Sequence, residues 1–228
     1  MVATGGREVL ITEVTRMTEG MVCAAGIDTA TGAMVRPLQP DGRNWEEDKW
    51  VAGHLHVGSI VRLTPATAVA GPPPHGREDF RVERVGFVRN ASPAEVYIAC
   101  RDNADDELTD IVGNHLFDGK YVDEGADCRS LGCLMMNGDD LRFSGKFDKL
   151  QVSWRDDQGV WHNLKLTDLH ASRVEDTEVE AARLQTAANF ADGPIALRIG
   201  LARPWVGPDR DWNPKRCTLQ LNGLIFPA

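Results

Sequence analysis

The first ninety residues of the chain consist of short apolar or alternating apolar and polar runs, separated by turn-rich and proline-rich segments. Such runs are typical of β-strands, whose side chains alternate between two faces of a sheet. They lie at residues 8–14, 21–27, 34–38, 57–63 and 80–88. The pattern predicts five strands in one small domain that covers residues 1–91.

The alternation stops between residues 92 and 127. Ser92, Pro93 and Glu95 combine an N-cap, a proline at the first helical position and a reciprocal glutamate, so a helix is predicted to begin here. Residues 102–127 also contain nine acidic residues against one base, Lys120. We therefore predict an acidic, partly helical connector over residues 92–127.

Strand patterns resume in residues 128–228, which we predict to be a second domain. Three runs precede a helix signal at Thr177, where a capping box opens a partly apolar helix, and two runs follow it. The runs cover residues 131–136, 147–154, 160–166, 195–201 and 216–226. Asn137-Gly138 and the turn at 156–159 are hairpin signals, so two hairpins are predicted as well.

The order of these elements predicts the fold class. The C-terminal half has three strands, then a helix, then two strands. This is the order of a five-stranded Greek-key barrel of the oligonucleotide/oligosaccharide-binding (OB) type. The N-terminal half fits the same scheme, with residues 41–56 in the helix position. We predict a mainly β protein of two OB-like barrels joined by the acidic connector.

Composition narrows the function classes. The chain has 34 acidic and 25 basic residues and a formal net charge of -9, which argues against a protein that coats polyanions through its global charge. Outside residues 102–127 the balance is 25 acids to 24 bases, so a local basic groove remains compatible with the count. The absence of a long apolar run and of a secretion signal predicts a cytoplasmic protein without membrane contact.

The best candidate site in the sequence is the basic and aromatic loop between the last two strands. Aromatic faces with cationic neighbours are suited to stacking bases and pairing with phosphates, and this loop closes over the ligand in OB barrels. A second interpretation is that its tryptophans pack back against the barrel. The Arg36-Pro37 pair of the first half resembles Arg203-Pro204, which favours an internal duplication. Arg36 is expected to assist from the first barrel. The candidate ligand-binding residues are Arg36, Arg203, Trp205, Arg210, Trp212 and Lys215.

The sequence contains no recognised catalytic or metal-binding motif. GxGxxG, Walker, GxSxG and HExxH patterns are absent, and the five scattered cysteines form no CxxC pair. A cysteine–histidine nucleophile built from Cys128 or Cys133 with His115 or His162 is an open alternative, because such pairs meet in space rather than in sequence. We expect no cofactor, no metal and no catalytic residue.

Several strand-like segments together resemble the prokaryotic dual OB-fold proteins, a largely uncharacterised family. These segments are LITEVTRM, GMVCAAGID, VRPL, LRIGLARPW and CTLQLNGLI, and the resemblance extends over about residues 8–226. It implies two OB-type barrels and a nucleic-acid-related role. It transfers no catalytic residue to this chain.

The hypothesis from sequence is a non-catalytic binding module for single-stranded nucleic acid or a nucleotide-like ligand. One alternative is a protein-interaction adaptor, in which the acidic residues 102–127 bind a basic partner. A further alternative is a hydrolase or nuclease with an unrecognised Asp/His/Cys site.

Overall fold

The computed structural model describes residues 6–51, 53–156, 158–205 and 215–228. The N-terminal half is built from six strands and one short helix. In chain order they are β1 (Arg7–Arg16), β2 (Met21–Asp28), β3 (Met34–Leu38), β4 (Trp45–Glu46), α1 (Glu47–Trp50), β5 (Ser59–Ala68) and β6 (Asp79–Asn90). The five strands predicted for this half are therefore confirmed, with a short strand and a helical turn added in residues 41–56.

These strands form a closed five-stranded barrel. β1 pairs antiparallel with both β2 and β5, β2 pairs with β3, and β5 pairs with β6. The barrel closes through a parallel pairing of β3 with β6, from Arg36 opposite Asp79 to Leu38 opposite Arg81. The interior is filled by small and branched side chains, including Val9, Ile11, Val22, Val35, Val61 and Val82.

β1 is buried on both of its faces, unlike a strand on the outside of an isolated barrel. Val9 and Ile11 point into the barrel, while Leu10, Thr12 and Glu13 are also almost inaccessible to solvent. A register shift between Ile11 and Glu13 interrupts the alternation. The outer face of β1 is covered by later parts of the chain: Leu10 clusters with Val96 and Ile225, and Glu13 contacts Arg198 and Asn222.

The acidic segment contains two helices and a strand: α2 (Pro93–Asp102), α3 (Leu108–Val112) and β7 (Tyr121–Asp123). The capping box that opens α2 is confirmed, because Ser92 Oγ accepts from the Glu95 N–H and the Glu95 carboxylate accepts from the Ser92 N–H. β7 pairs with the last strand of the chain, and Ile111 and Val122 join the C-terminal core. This part of the chain thus contributes to the C-terminal half.

The C-terminal half forms a half-barrel from two sheets. Its elements are β8 (Leu131–Met136), β9 (Arg142–Ser144), β10 (Gln151–Arg155), β11 (Trp161–Lys165), α4 (Thr177–Asn189), β12 (Ile195–Leu201) and β13 (Arg216–Ile225). One sheet has the order β7-β13-β12-β8 and the other has the order β11-β10-β9. An isolated parallel bridge between Leu166 and Leu221 links the two sheets.

One of the two predicted hairpins is confirmed and the other is wrong. β10 and β11 form an antiparallel hairpin whose turn ends at Gly159, with φ of 82°. At Asn137-Gly138, however, residues Gly138–Asp140 form a 3-10 turn, and β8 pairs with β12 instead of β9. A β-carbon on Gly138 would lie 1.8 Å from the Ala188 carbonyl oxygen, so this glycine permits close packing against α4.

The predicted C-terminal helix is confirmed as α4, with its cap one residue earlier than expected. The Asp176 side chain accepts from the N–H groups of Glu178 and Val179, whereas the Thr177 hydroxyl donates to the Gly145 carbonyl. The helix buries Ala181, Leu184 and Ala188 against the half-barrel. Among the residues described, no helix has both the length and the apolar character needed to cross a membrane.

A buried ion pair joins the two halves. Arg198 Nε of β12 lies 3.1 Å from Glu13 Oε2 of β1, and both side chains are at most 1% exposed. The second carboxylate oxygen of Glu13 accepts from Asn222 Nδ2 at 3.0 Å. Burial lowers the pKa of Arg198, but the Glu13 carboxylate together with Cys133 and Cys100 raises it by more, so the guanidinium stays charged. Leu169 also enters the core of the first barrel.

Replacing Arg198 with methionine is expected to destabilise the protein strongly, because it leaves the Glu13 carboxylate buried without a cation. Loss of one partner of a buried ion pair lowers the free energy of unfolding by about 3–5 kcal/mol. The double variant Glu13→Gln/Arg198→Met should lose less than the single variant, since no charge remains buried. Urea unfolding at neutral pH measures both, and a loss below about 1 kcal/mol in Arg198→Met would contradict this account.

Candidate functional site

A cleft of about 520 Å³ lies between the two halves. The first half contributes the turn after β1 and side chains from β2 and β3, and the second half contributes the turn before β10 and the ends of β11 and β12. Representative lining residues are Thr18, Cys23, Asn44, Leu150, Thr167 and Ala202. Its volume is within the range of about 300–1,000 Å³ that is usual for small-molecule sites.

The cleft has the opposite charge to the chain as a whole. Among the residues that the structure describes, its lining includes one acidic residue, Asp148, and five basic residues: Arg16, Arg36, Lys149, Lys165 and Arg203. The protein carries a formal net charge of -9, so this concentration of cations does not reflect average composition. Recessed cations of one sign raise the local concentration of anions.

Two of the five cations meet at a single carboxylate. Arg36 Nη1 lies 2.9 Å from Asp79 Oδ1, and Arg203 Nη2 lies 2.8 Å from Asp79 Oδ2. These are the arginines of the two Arg-Pro pairs in the sequence, one from each half of the chain. Asp79 therefore holds both guanidiniums in place and offsets part of their charge.

Arg36 is a structural member of this group. Its side chain is 3% exposed, and its Nη2 donates to Ser130 Oγ at 2.6 Å. Ser130 in turn donates from its hydroxyl and its backbone N–H to the Glu78 carboxylate, both at 3.0 Å. Burial raises the pKa of Glu78. The Arg203 side chain, by contrast, is 41% exposed and can reach a ligand.

Lys149 and Lys165 supply the least compensated charge in the cleft. Gln151 lies directly opposite Lys165 on the β10–β11 hairpin, and Lys149 is two residues before Gln151. The two lysines are therefore diagonal neighbours, a relation in which long side chains can approach each other. Within the described ranges neither lysine has a carboxylate at ion-pairing distance. Partial burial, together with the charge of Lys149, lowers the pKa of Lys165.

His75 closes the inner end of the cleft as a neutral side chain. It is 4% exposed, and its Nε2 donates to the Leu201 carbonyl at 3.1 Å. Burial, reinforced by the charges of Arg36 and Arg203, lowers its pKa to about 3. The hydrogen bond from His75 to Leu201 therefore links the two halves, and His75 adds no positive charge at neutral pH.

The structure brings together some of the residues predicted from sequence. Arg36 and Arg203 both line the cleft, although Arg36 is buried and held by Asp79. Trp205 is 60% exposed and therefore does not pack into the barrel. Lys215 is exposed as well. Arg210 and Trp212 lie outside the described residues.

Sequence reasoning missed the lysines. The pattern predicted a strand over 147–154, but β10 begins at Gln151, and residues Lys146–Asp148 form a turn that presents Lys149 to the cleft. The available signal was the position of Lys149 and Lys165 at the open end of a predicted hairpin, which places them side by side. His75 gave no sequence signal, since its role depends on contact with the other half.

Two of the groups proposed for a cysteine–histidine nucleophile, His162 and Cys133, have other partners. His162 is bonded to Asp156 at 2.8 Å and stacks on Trp154, while Cys133 packs beside Cys100. A hydrogen bond from Cys100 lowers the pKa of Cys133, but both thiols are fully buried. Burial raises the pKa of Cys128 to about 11. The described residues contain no cluster of three or more potential metal ligands.

Comparison of the chain with protein-family models, curated proteins and solved structures gives no match. The resemblance to dual OB-fold proteins therefore remains an expectation from sequence. Any functional assignment has to rest on the geometry and charge of the cleft.

The low pKa of His75 makes a specific contribution to acid sensitivity. Between pH 6.5 and 3 the unfolded chain binds a proton at this residue that the folded protein does not, so stability falls as the pH is lowered through this window. From pH 7 to pH 5 the contribution is about 2 kcal/mol. Urea unfolding of His75→Gln should show a correspondingly shallower loss of stability. The exposed His170→Gln serves as control, and an unchanged pH dependence in His75→Gln would refute the assignment.

Proposed function

We propose that this protein is a non-catalytic binding module for single-stranded nucleic acid or a nucleotide-like ligand, and that it holds the ligand's phosphate groups in the cleft between its halves. The observation that carries the proposal is the lining of five cations and one acid in a strongly acidic protein. Such a site attracts anions locally, while the rest of the surface repels polyanions. This favours a short or single-stranded ligand over a long duplex.

We also propose that both halves are OB-type barrels. The strand order of the closed barrel, with β3 parallel to β6, supports this for the first half. In the second half, the parallel bridge between Leu166 and Leu221 occupies the corresponding place if β8 and β9 are regarded as one interrupted strand. OB folds bind oligonucleotides through the loops after their first and fourth strands.

The cleft is where those loops meet under this assignment. Met17 and His75 belong to the two loops of the first barrel, and Lys149 and Arg203 belong to the two loops of the second. Two binding faces would thus share one ligand. Because Arg203 also lies in the basic-aromatic loop identified from sequence, Trp205 and Lys215 would extend the site outward, and Arg210 and Trp212 are proposed with them.

Binding should weaken when the two cleft lysines are neutralised. Anisotropy titration of a fluorescent eight-nucleotide oligothymidylate at low salt should show at least a tenfold loss of affinity in Lys149→Met/Lys165→Met. The dependence of log K on log salt should also become shallower, by about 0.7 for each phosphate contact removed. Lys49→Met/Lys120→Met is the charge-matched control outside the cleft. If wild-type protein does not bind the oligonucleotide at low salt, the proposal fails.

A second candidate function, a protein-interaction adaptor, is favoured by a separate groove of about 240 Å³. Met135 and Met136 contribute apolar surface, and the acidic side chains at this groove are Asp106, Glu107, Asp140 and Asp156. A partner suited to it would be a basic peptide with apolar side chains. Asp105, in contrast, is bound by Arg129 and only 13% exposed, so it is not available to a partner.

A further inference from the structure

The turn Lys146–Asp148 at the edge of the cleft displays an aromatic ring in solvent. Phe147 is 87% exposed, the highest value among the exposed large hydrophobic residues that the structure describes. Its backbone has φ of 56°, and that of Asp148 has φ of 54°. Two successive non-glycine residues in the left-handed region are unusual, and such strain concentrates at functional sites.

This exposed ring has no explanation in the packing of the fold. A phenylalanine side chain presents well over 100 Å² of surface that water solvates poorly, and burying it would favour stability. The left-handed turn instead directs the chain so that Phe147 lies outside the core while the next two residues, Asp148 and Lys149, line the cleft. An aromatic face and a cationic site are thereby placed next to each other.

The charges around the ring suit a nucleic-acid strand. Lys146 and Lys149 flank Phe147 and Asp148 in sequence, and Lys165 lies diagonally opposite Lys149 on the hairpin. Asp148 is the one acid at this turn, so the four residues from Lys146 to Lys149 carry a net charge of +1, and Lys165 raises it to +2. Stacking of a base on an aromatic ring beside phosphate-binding cations is the common mode of single-strand recognition.

We propose that Phe147 is a stacking platform for a base of a single-stranded nucleic acid, and that the adjoining phosphate is bound by Lys149 and Lys165. This inference rests on the proposed function and narrows it, because it requires a ligand with a base next to its phosphate. Inorganic phosphate, or a sugar-phosphate chain without bases, would use the lysines but not the ring. Under this proposal, Phe147 gives the protein a preference for phosphate ligands that carry a base over those that do not.

Phe190 provides a matched control. It is 83% exposed, but it follows the end of α4, does not line the cleft and has Asp192 as its nearest charged neighbour in sequence. Replacing either phenylalanine with alanine removes a solvent-exposed ring, so neither change should prevent folding. Circular dichroism and a urea midpoint check this for both variants.

The test compares two probes, the fluorescent eight-nucleotide oligothymidylate and an abasic phosphodiester chain of the same length. Phe147→Ala should weaken binding of oligothymidylate roughly 5- to 150-fold, the range for one stacked base at about 1–3 kcal/mol. Binding of the abasic chain should be unchanged. Phe147→Trp should retain the affinity for oligothymidylate, and Phe190→Ala should bind both probes like the wild type.

The outcomes separate this inference from the function on which it rests. If Phe147→Ala and Phe190→Ala bind oligothymidylate equally well while Lys149→Met/Lys165→Met loses affinity, the stacking role is wrong and the phosphate site stands. An equal loss for both probes in Phe147→Ala would also overturn the stacking role, since it would indicate a distorted turn. If wild-type protein binds neither probe, both proposals fail.

Discussion

The arrangement of this molecule depends on the buried ion pair between Glu13 and Arg198. Each charge would cost several kcal/mol to bury alone, so the two strands that carry them, β1 and β12, are held at one position relative to each other. Asn222 fixes the second oxygen of Glu13 and adds direction to the contact. The cleft opens at the ends of these same strands, beside Thr15 and Leu201, and its width therefore follows from where the pair sets the two halves.

A second polar contact, at Asp79, determines the electrostatic character of the cleft. Because Asp79 binds both Arg36 and Arg203, part of the charge of these arginines serves to tie the halves together. The lysines of the β10–β11 hairpin have no such partner within the described ranges, and they provide the uncompensated charge. The two arginines therefore hold the shape of the cleft, while the two lysines are available to bind an anion in place of water. A preorganised site of this kind requires little rearrangement on binding.

Sequence reasoning recovered the local structure well and the long-range structure poorly. The strands and the α2 cap could be predicted because alternation and capping are set by neighbours in the chain. The hairpin predicted at Asn137-Gly138 was wrong, since β8 finds its partner in β12, about sixty residues away in sequence. The Arg-Pro echo pointed to Arg36 and Arg203, but their shared carboxylate became visible only with the parallel pairing of β3 and β6. Lys149 was missed because the apolar pattern predicted a strand from residue 147, where the structure has a left-handed turn.

The central claim is that the cleft between the halves, and not the acidic groove, is the ligand site. Hydrogen–deuterium exchange of the wild-type protein, with and without saturating oligothymidylate, tests it most directly. The account predicts slower exchange in residues 15–18, 148–150 and 165–167, which line the cleft, and unchanged exchange in residues 106–109 and 134–137, which line the acidic groove. Unchanged exchange in all three cleft segments while the oligonucleotide is bound would contradict the account.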